Sequence, residues 1–507
     1  MITKTETNYT GRNALIVGGG PAGLATALIL AKRGWTNVTV LEQQAADFYE
    51  SNKSYSYRID GRGQKLLDFL GLTNKLSNIS VPSTEFYFTR IQPNGSRKTL
   101  KVPVGAPNHK TSYWLPRKAF VMMLYQEIER NWHGCITVMF NTKCVQINRI
   151  TTNNDNEEEL EIIAYSENNQ IVKFEPYLLV SCDGVNSIVR NTLKEWDKSK
   201  AERFEMKRFP SPSTGLRYKA LTLPPNFPLD KSGSERAACE IAYSIRGAFR
   251  GRKRAIFLGV FPLKNPNETR SANIVTLPDH DIWKFKNGEE VYNFFEKAFP
   301  QLSIRQLVPP EEAERFAKSE GGSFPPPQYC SSLHYLLKQE QASQGMSNKS
   351  SAGVVILGDA IHCFPPDIGQ GVNAALEDVH VFNQALSDSH DDLSRDLPLY
   401  ESLRFPDVKA LVSLAQFAFP WQYNQAPLRR SLWSVNIFLR LVLSKLLPYV
   451  FNPPAFVLLQ NHQLSYQEIL ARAQRTTNIL YVIGLILACA LLVSVWRITE
   501  PQPLQHF

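Results

Sequence analysis

Short apolar runs separated by segments of helical period organise the first part of this chain. Asn13–Val17 reads as a buried strand, Leu24–Arg33 carries apolar residues at helical spacing up to Gly34, and Val38–Leu41 is a second strand. Gln64–Leu70 is an amphipathic helix stopped by Gly71. From Phe86 the pattern changes to alternation, with Phe86 and Phe88 on one face and Asn94-Gly95 as a turn, which predicts a hairpin belonging to another sheet. A helix follows over Lys118–Arg130. Ile136–Ile147 and Glu159–Tyr165 read as strands around the polar loop Thr151–Glu158, and Tyr177–Val180 as another buried strand. Tyr218–Leu223, Cys239–Ile245 and Ala255–Phe261 have the look of one sheet, with Glu290–Ala298 as a helix packed on it. The basic run Arg250–Arg254 between two of those strands reads as a solvated turn, with contact to an anionic phosphate or lipid as the sharper alternative. Gln341–Ser351 is a polar linker. Beyond it an apolar run, Val354–Leu357, leads into Gly358-Asp359 and, after a proline pair, into a helix over Val372–Leu386.

After Ala410 the pattern changes again. Ser431–Val450 is aromatic and leucine-rich but carries Arg440 and Lys445, which suits an amphipathic helix lying on a bilayer. Pro453-Pro454 breaks it, and Phe456–Arg475 resumes as a helix with charges. Ile479–Trp496 then runs without a charge, enough for roughly 27 Å of helix and marginally enough to span a bilayer. Arg472 and Arg475 on one side, against Arg497 balanced by Glu500 on the other, favour a body on the cytoplasmic side.

Composition adds bounds rather than identity. A chain of 507 residues, 43% hydrophobic and 20% charged, is a folded protein of more than one domain. Its formal charge of +9 suits an anionic cofactor or membrane surface and gives little support for nucleic acid. Seven scattered cysteines without a CxxC pair indicate neither a zinc site nor a disulfide framework. Met1–Thr10 is polar, so no secretory signal is expected, and sequons such as Asn94-Gly95-Ser96 are read as chance.

The chemistry lies in three glycine-bearing stretches. Gly18-Gly19-Gly20-Pro21-Ala22-Gly23 is a GxGxxG in its strand–turn–helix setting, with Glu42, followed by Gln43, at the end of the next strand. Gly18, Gly20 and Gly23 permit the tight turn, the approach of a pyrophosphate and close helix packing, while Glu42 suits ribose hydroxyls. An acid there favours FAD or NAD over NADP as the first nucleotide. Asp359, at a strand end, can accept from cofactor hydroxyls, and Gly369-Gln370-Gly371 opens a helix whose amides attract an anion or an electron-rich ring. Arg62, next to Gly63 ahead of an amphipathic helix, and Arg117, ahead of the helix at 118–130, are candidates for flavin or phosphate oxygens. The third stretch is Asp183-Gly184-Val185-Asn186-Ser187-Ile188-Val189-Arg190.

Taken in order, these three motifs resemble those of the single-component FAD-dependent aromatic hydroxylases and epoxidases over roughly Asn13 to Ala410. Within that family the chain is most similar to the kynurenine 3-monooxygenases. The likeness includes Gly369–Ala374 with Glu377-Asp378, Asn293–Phe295 to Phe299-Pro300, Leu403–Asp407 and a hydrophobic tail. The resemblance implies an α/β fold: a Rossmann-type FAD-binding domain of p-hydroxybenzoate hydroxylase kind, interleaved with a β-sheet substrate domain, plus a C-terminal helical membrane appendage. The expected boundaries are 1–200 and 345–420 for the FAD domain, with a hairpin near 84–114 lent to the substrate domain at 201–340. The C-terminal helices are expected over 421–507, with the anchor at 479–496.

The same resemblance implies FAD as cofactor, NADPH or NADH as co-substrate, and insertion of one oxygen atom of O2 into the substrate through a flavin hydroperoxide. Asp183 would contact FAD and the incoming nicotinamide, and Asp359 the ribityl and pyrophosphate. Pro366 and the backbone of Gly371, Val372 and Asn373 would shape the oxygen site, with His362 structural. The Arg and Tyr that hold the substrate carboxylate in kynurenine 3-monooxygenase fall near Thr84 or Phe86 and near Val104 here, and neither is retained. A buried carboxylate without its guanidinium would be costly. The expected substrate is therefore lipophilic, an aromatic or isoprenoid compound, in a pocket with Tyr57, Phe86, Phe88 and Phe364 as candidate walls. Two other readings stay open: a flavin-dependent isoprenoid reductase, and a membrane-anchored FAD-binding protein without turnover. A flavin halogenase is disfavoured by the lack of a WxWxIP-like segment.

Overall fold

In a computed structural model, residues 12–46, 55–104, 110–151, 158–197, 199, 202–337, 352–388, 391–423 and 425–499 are described. The polar linker at 341–351, the first ten residues and most of the loop at 151–158 lie outside them. Asn13–Val17 forms the middle of a six-stranded sheet, flanked on one side by Asn37–Leu41 and then Ile136–Met139. On its other side come Leu178–Ser181 and Gly353–Ile356, all parallel, with His334–Leu336 as an antiparallel edge. Strands buried on both faces need no alternation, which is why these segments read as unbroken apolar runs. Helix Pro21–Lys32 packs on this sheet with Gly371–Asp388, so the two glycine motifs, some 350 residues apart, open from the same end of one sheet. That is where open α/β sheets bind their ligands.

A second, seven-stranded sheet runs in the order Gly322–Ser323, Arg217–Leu223, Arg270–Thr276, Phe257–Val260, Ala242–Arg246, Glu85–Ile91, Arg97–Pro103. The alternating segment at Phe86 therefore does pair into another sheet, and its partner Ala242–Arg246 runs parallel to it. The basic run 250–254 lies in the turn between two antiparallel neighbours, Ala242–Arg246 and Phe257–Val260. Helices Gly288–Ala298 and Pro310–Lys318 cover one face, burying Phe295, Phe299 and Phe316 against Leu258 and Ile274. A small sheet of Ser56–Ile59, Val81–Pro82 and Tyr113–Pro116 bridges the two, and Trp114 stacks on Phe261 with ring centroids 4.8 Å apart.

One expectation needs correcting. The strand expected over Ile136–Ile147 is two strands, Ile136–Met139 in the parallel sheet and Lys143–Thr151 in a separate antiparallel one; between them Asn141 turns the chain at φ +51°. The C-terminal helical appendage is seated on the body at its start. Tyr466–Thr499 is one continuous helix, and its first two turns bury Tyr466, Ile469 and Ala473 against Leu411, Leu414 and Ala415 of helix Leu393–Phe417. Its later half, around 479–496, is exposed, and it is the one helix among the described residues long and apolar enough to cross a membrane. Helix Pro427–Leu446, which buries no residue, lies beside it; Arg440 donates to Thr477 Oγ1 at 2.9 Å.

Candidate functional site

Gly18 follows the first strand at φ +108°, a region L side chains avoid, and a Cβ there would stand 2.3 Å from the Cys182 carbonyl oxygen. This close approach locks the first motif against the segment that carries Asp183. Gly20 differs: a Cβ on it would meet nothing within 4 Å. It is the N-cap of helix Pro21–Lys32, supplies no capping side chain, and no acid sits in the first turn. Pro21 at the first helical position surrenders no amide that the helix would use. The helix N-terminus thus begins beside open space at Gly20, as a pyrophosphate requires. Ala22 and Gly23 are buried behind it. Glu42 accepts from the Gly19 and Gln44 amides at 2.8 and 2.9 Å, so it borders the turn; Gln43 is exposed beside it.

These two glycines make separable predictions. Gly18→Ala is expected to lower the melting temperature and abolish FAD retention together. Gly20→Ala is expected to keep the melting temperature and lose only FAD affinity. Thermal unfolding and visible flavin absorbance of the purified variants distinguish them.

The opposite wall is built by the turn after Gly353–Ile356. Asp359 is exposed, yet protein surrounds it on most sides, the situation of a side chain lining a cleft. That enclosure pushes its carboxyl above the ordinary range, with His362 and Arg117 pulling the other way. Arg117 also acts on Tyr57, whose phenol is pushed well up by burial and by neighbouring Tyr55, and is itself raised, against burial, by Tyr57, Tyr55 and Glu42. Asp359, Arg117, Tyr57 and Glu42 are thus near enough for their charges to act along one chain of neighbours.

The turn is held from beneath. Asp378 Oδ2 accepts from the Gly358 amide and lies 2.8 Å from His362 Nε2, while Oδ1 accepts from Arg404 Nε at 2.6 Å. Arg404 donates further to Glu377 and to the Ala374 carbonyl. Burial pushes Asp378 up, but His362 and Arg404 outweigh it and hold the carboxylate low. Glu377, Asp378 and Arg404 stand out in the sequence only through family likeness; no local pattern announces that they meet.

Pro366 begins a single helical turn, Pro366–Ile368, and Gly369 leaves it at φ +63°. Gly371 starts the next helix with open space around its Cα, followed by Val372. Asn373 is fully buried: its Oδ1 accepts from the Asp60 amide and its Nδ2 donates to the Arg58 and Gly369 carbonyls. Its side chain is a clamp, and only its backbone is left for a ligand.

Other candidates are placed differently. The Arg62 guanidinium is directed to the C-terminal segment, donating to the carbonyls of Leu459, Asn461 and Leu464 and lying over the Tyr466 ring. It is committed there and does not serve as a side chain for FAD. Asp183 accepts from Ser181 Oγ and from the Ile188 and Val189 amides, so its carboxylate caps the helix Ile188–Trp196. Phe86 and Phe88 stack on each other at 4.7 Å, but Phe88 is 47% exposed and the pair forms no closed pocket wall. Phe364 is buried and lies parallel to His362.

One side chain at this site escaped the sequence reading. Asp367, next to Pro366, is buried, and burial pushes its carboxyl up to about 7. The Ser213 and Tyr423 hydroxyls beside it offset part of that shift, but neither carboxylate oxygen closes a hydrogen bond of good geometry. Between the ordinary carboxylate range and about pH 7 the folded protein holds a proton that the unfolded chain releases, so Asp367 costs stability as pH rises through that window. Asp367→Asn is expected to flatten the fall in melting temperature between about pH 5 and 7; an identical fall in both proteins would refute this.

A family model described as FAD binding domain matches residues 12–209 and 338–413, more than half of the chain. The chain belongs to this FAD-binding family. Its curated relatives include kynurenine 3-monooxygenase of Sus scrofa, 24% identical over 466 residues, with 90% of this chain and 86% of the relative covered. The enzyme of the same name from Salinispora tropica is 23% identical, with 94% of both chains covered. Among solved structures, Pseudomonas aeruginosa PqsL in complex with 2-aminobenzoylacetate aligns with a TM-score of 0.52 and 18% identity over 84% of this chain and 99% of that one, a likeness of fold. The protein is a FAD-dependent monooxygenase of the aromatic-hydroxylase kind.

Proposed function

We propose that this monooxygenase uses NADPH and O2 to oxygenate a lipophilic aromatic or isoprenoid substrate at a membrane surface. The observation that carries the reading is that the helices starting at Pro21 and Gly371 pack together with open space at Gly20 and Gly371, while Gly358 sits between Ala22 and Ala375 and Asp359 is exposed beside it. The residues fit FAD. The amides at Gly20–Pro21 and at Gly371–Asn373 would hold its pyrophosphate and the polar edge of its ring, with Glu42 on ribose and Asp359 and Arg117 along the chain between them. When bound, FAD supplies the redox chemistry that passes one oxygen atom of O2 to the substrate.

The protein's own tasks are to hold and to exclude. Asp378 and Arg404 brace the Gly358-Asp359 turn, Asn373 and Gln370 fix the Gly369–Gly371 loop on Asp60, and stacked Trp114 and Phe261 keep water from the seam between the sheets. The absence of an Arg near Thr84 and a Tyr near Val104 supports a substrate without a carboxylate. The exposed apolar half of helix Tyr466–Thr499, with Leu432, Val435 and Phe438 exposed on the neighbouring helix, supports bilayer anchoring with the body on the cytoplasmic side.

The test is NADPH oxidation by the membrane-reconstituted holoprotein, screened against lipophilic aromatics, isoprenoids and kynurenine. A product one oxygen atom heavier, with O2 consumed in equal amount, is expected for a lipophilic compound. Coupled turnover of kynurenine would overturn the substrate class, and a saturated product without O2 uptake would indicate a reductase.

A further inference from the structure

Asp367 sits between Pro366 and Gly369 in the turn that edges the proposed cleft. Only 9% of its surface is exposed, and neither Oδ1 nor Oδ2 closes a hydrogen bond of good geometry, although the Ser213 and Tyr423 hydroxyls stand beside it. Native proteins rarely leave a buried carboxylate so poorly served, because the group loses its hydration and gains nothing in exchange. The neighbouring hydroxyls do not repair this. Ser213 Oγ donates instead to the Pro420 carbonyl and accepts from Gln425, and the Tyr423 ring is wedged between aromatics. Tyr423 stacks on Phe257 at 5.9 Å and meets Phe324 edge-on at 5.7 Å. Both phenylalanines belong to or adjoin the seven-stranded sheet, which places the carboxylate at the junction of that sheet with the flavin-side turn. Tyr423 is the titratable side chain facing it.

Resting on the proposed function, we infer that Asp367 is the polar anchor of the substrate: its carboxylate accepts a hydrogen bond from an O–H or N–H donor on an otherwise apolar aromatic ring. A phenol, an aryl amine or an indole meets that description. A ring bearing a carboxylate does not, since two buried negative groups would face each other. A hydrogen bond to a charged acceptor in such surroundings discriminates between a donor and its methylated analogue by about tenfold or more. Because the carboxyl changes charge near neutrality, donor binding tightens as pH rises through about 7.

The test uses the full-length FAD-loaded protein in detergent and two matched probe pairs, 2-naphthol with 2-methoxynaphthalene and indole with N-methylindole. Binding is read from the shift of the bound flavin spectrum under nitrogen, without turnover. Wild type is expected to prefer the donor member of each pair by about tenfold or more, increasingly from about pH 6 to 8. Asp367→Ala is expected to lose the preference, and Asp367→Asn to keep part of it while losing its pH dependence. Equal binding, or no binding, of both members by wild type overturns the inference, as does an unchanged preference in Asp367→Ala with FAD retained. Should Asp367→Ala fail to retain FAD, the wild-type preference and the Asp367→Asn pH profile decide. Failure of the proposed function shows differently: donor preference would persist without any oxygenated product from NADPH and O2.

Discussion

Arg404→Leu is expected to destabilise the protein by about 3–5 kcal/mol and to leave it without FAD, because it strands two buried carboxylates. Arg404 is 1% exposed, and its guanidinium serves Glu377 and Asp378 together. Burial alone would weaken its charge; the two acids more than compensate and raise its basicity. Without it Asp378 keeps only His362 of the two partners that hold it low, and the turn presenting Asp359 loses part of its support. The double replacement Arg404→Leu with Asp378→Asn is expected to recover part of the stability, since a neutral amide is cheaper to bury than a lone carboxylate. Urea unfolding and flavin content of the three variants check this. Additive losses in the double variant would show that the two residues do not act through each other.

The second large effect concerns where the C-terminus is cut. A chain ending at Asn478 is expected to leave the membrane fraction yet retain FAD and a near-normal melting temperature. One ending at Pro453 is expected to lose FAD and fold poorly. The difference is the segment 454–478, which does three things in the structure. It buries Tyr466, Ile469 and Ala473, receives the Arg62 guanidinium on three carbonyls, and places the Tyr466 hydroxyl 2.8 Å from Gln370 Oε1. Gln370 in turn donates to Asp60 inside the flavin-side loop. The exposed half beyond Asn478 packs on nothing comparable. Sedimentation of the two truncations with lipid vesicles, alongside their flavin spectra, separates anchoring from folding. Loss of FAD from the longer truncation would count against this division.

How much of this was legible beforehand depended on sequence distance. The glycine turn at Gly18–Gly23, the strands on either side of it, the hairpin at Asn94-Gly95 and the apolar run at 479–496 are each local, and period or turn chemistry reveals them directly. Misreadings came where a local pattern had two outcomes. Ile136–Ile147 is uniformly strand-like, and only the left-handed Asn141 divides it between two sheets. Arg62 lies between two glycines in the first turn of an amphipathic helix, the setting of a phosphate ligand, but its partners lie almost 400 residues downstream. The aromatic pair Phe86 and Phe88 alternates correctly for one face of a strand, and alternation does not say whether that face is covered.

The residues alone determined the class of chemistry, because FAD recognition relies on backbone amides, and glycine spacing reports where a backbone can be approached. Tertiary structure decided what supports and tunes the site. The Asp378–Arg404 brace, the seat of the C-terminal segment on Gln370 and the poorly bonded carboxylate of Asp367 all arise from side chains far apart in the chain. Their significance lies in burial and in which partners are present, quantities that exist only once the chain has closed around them.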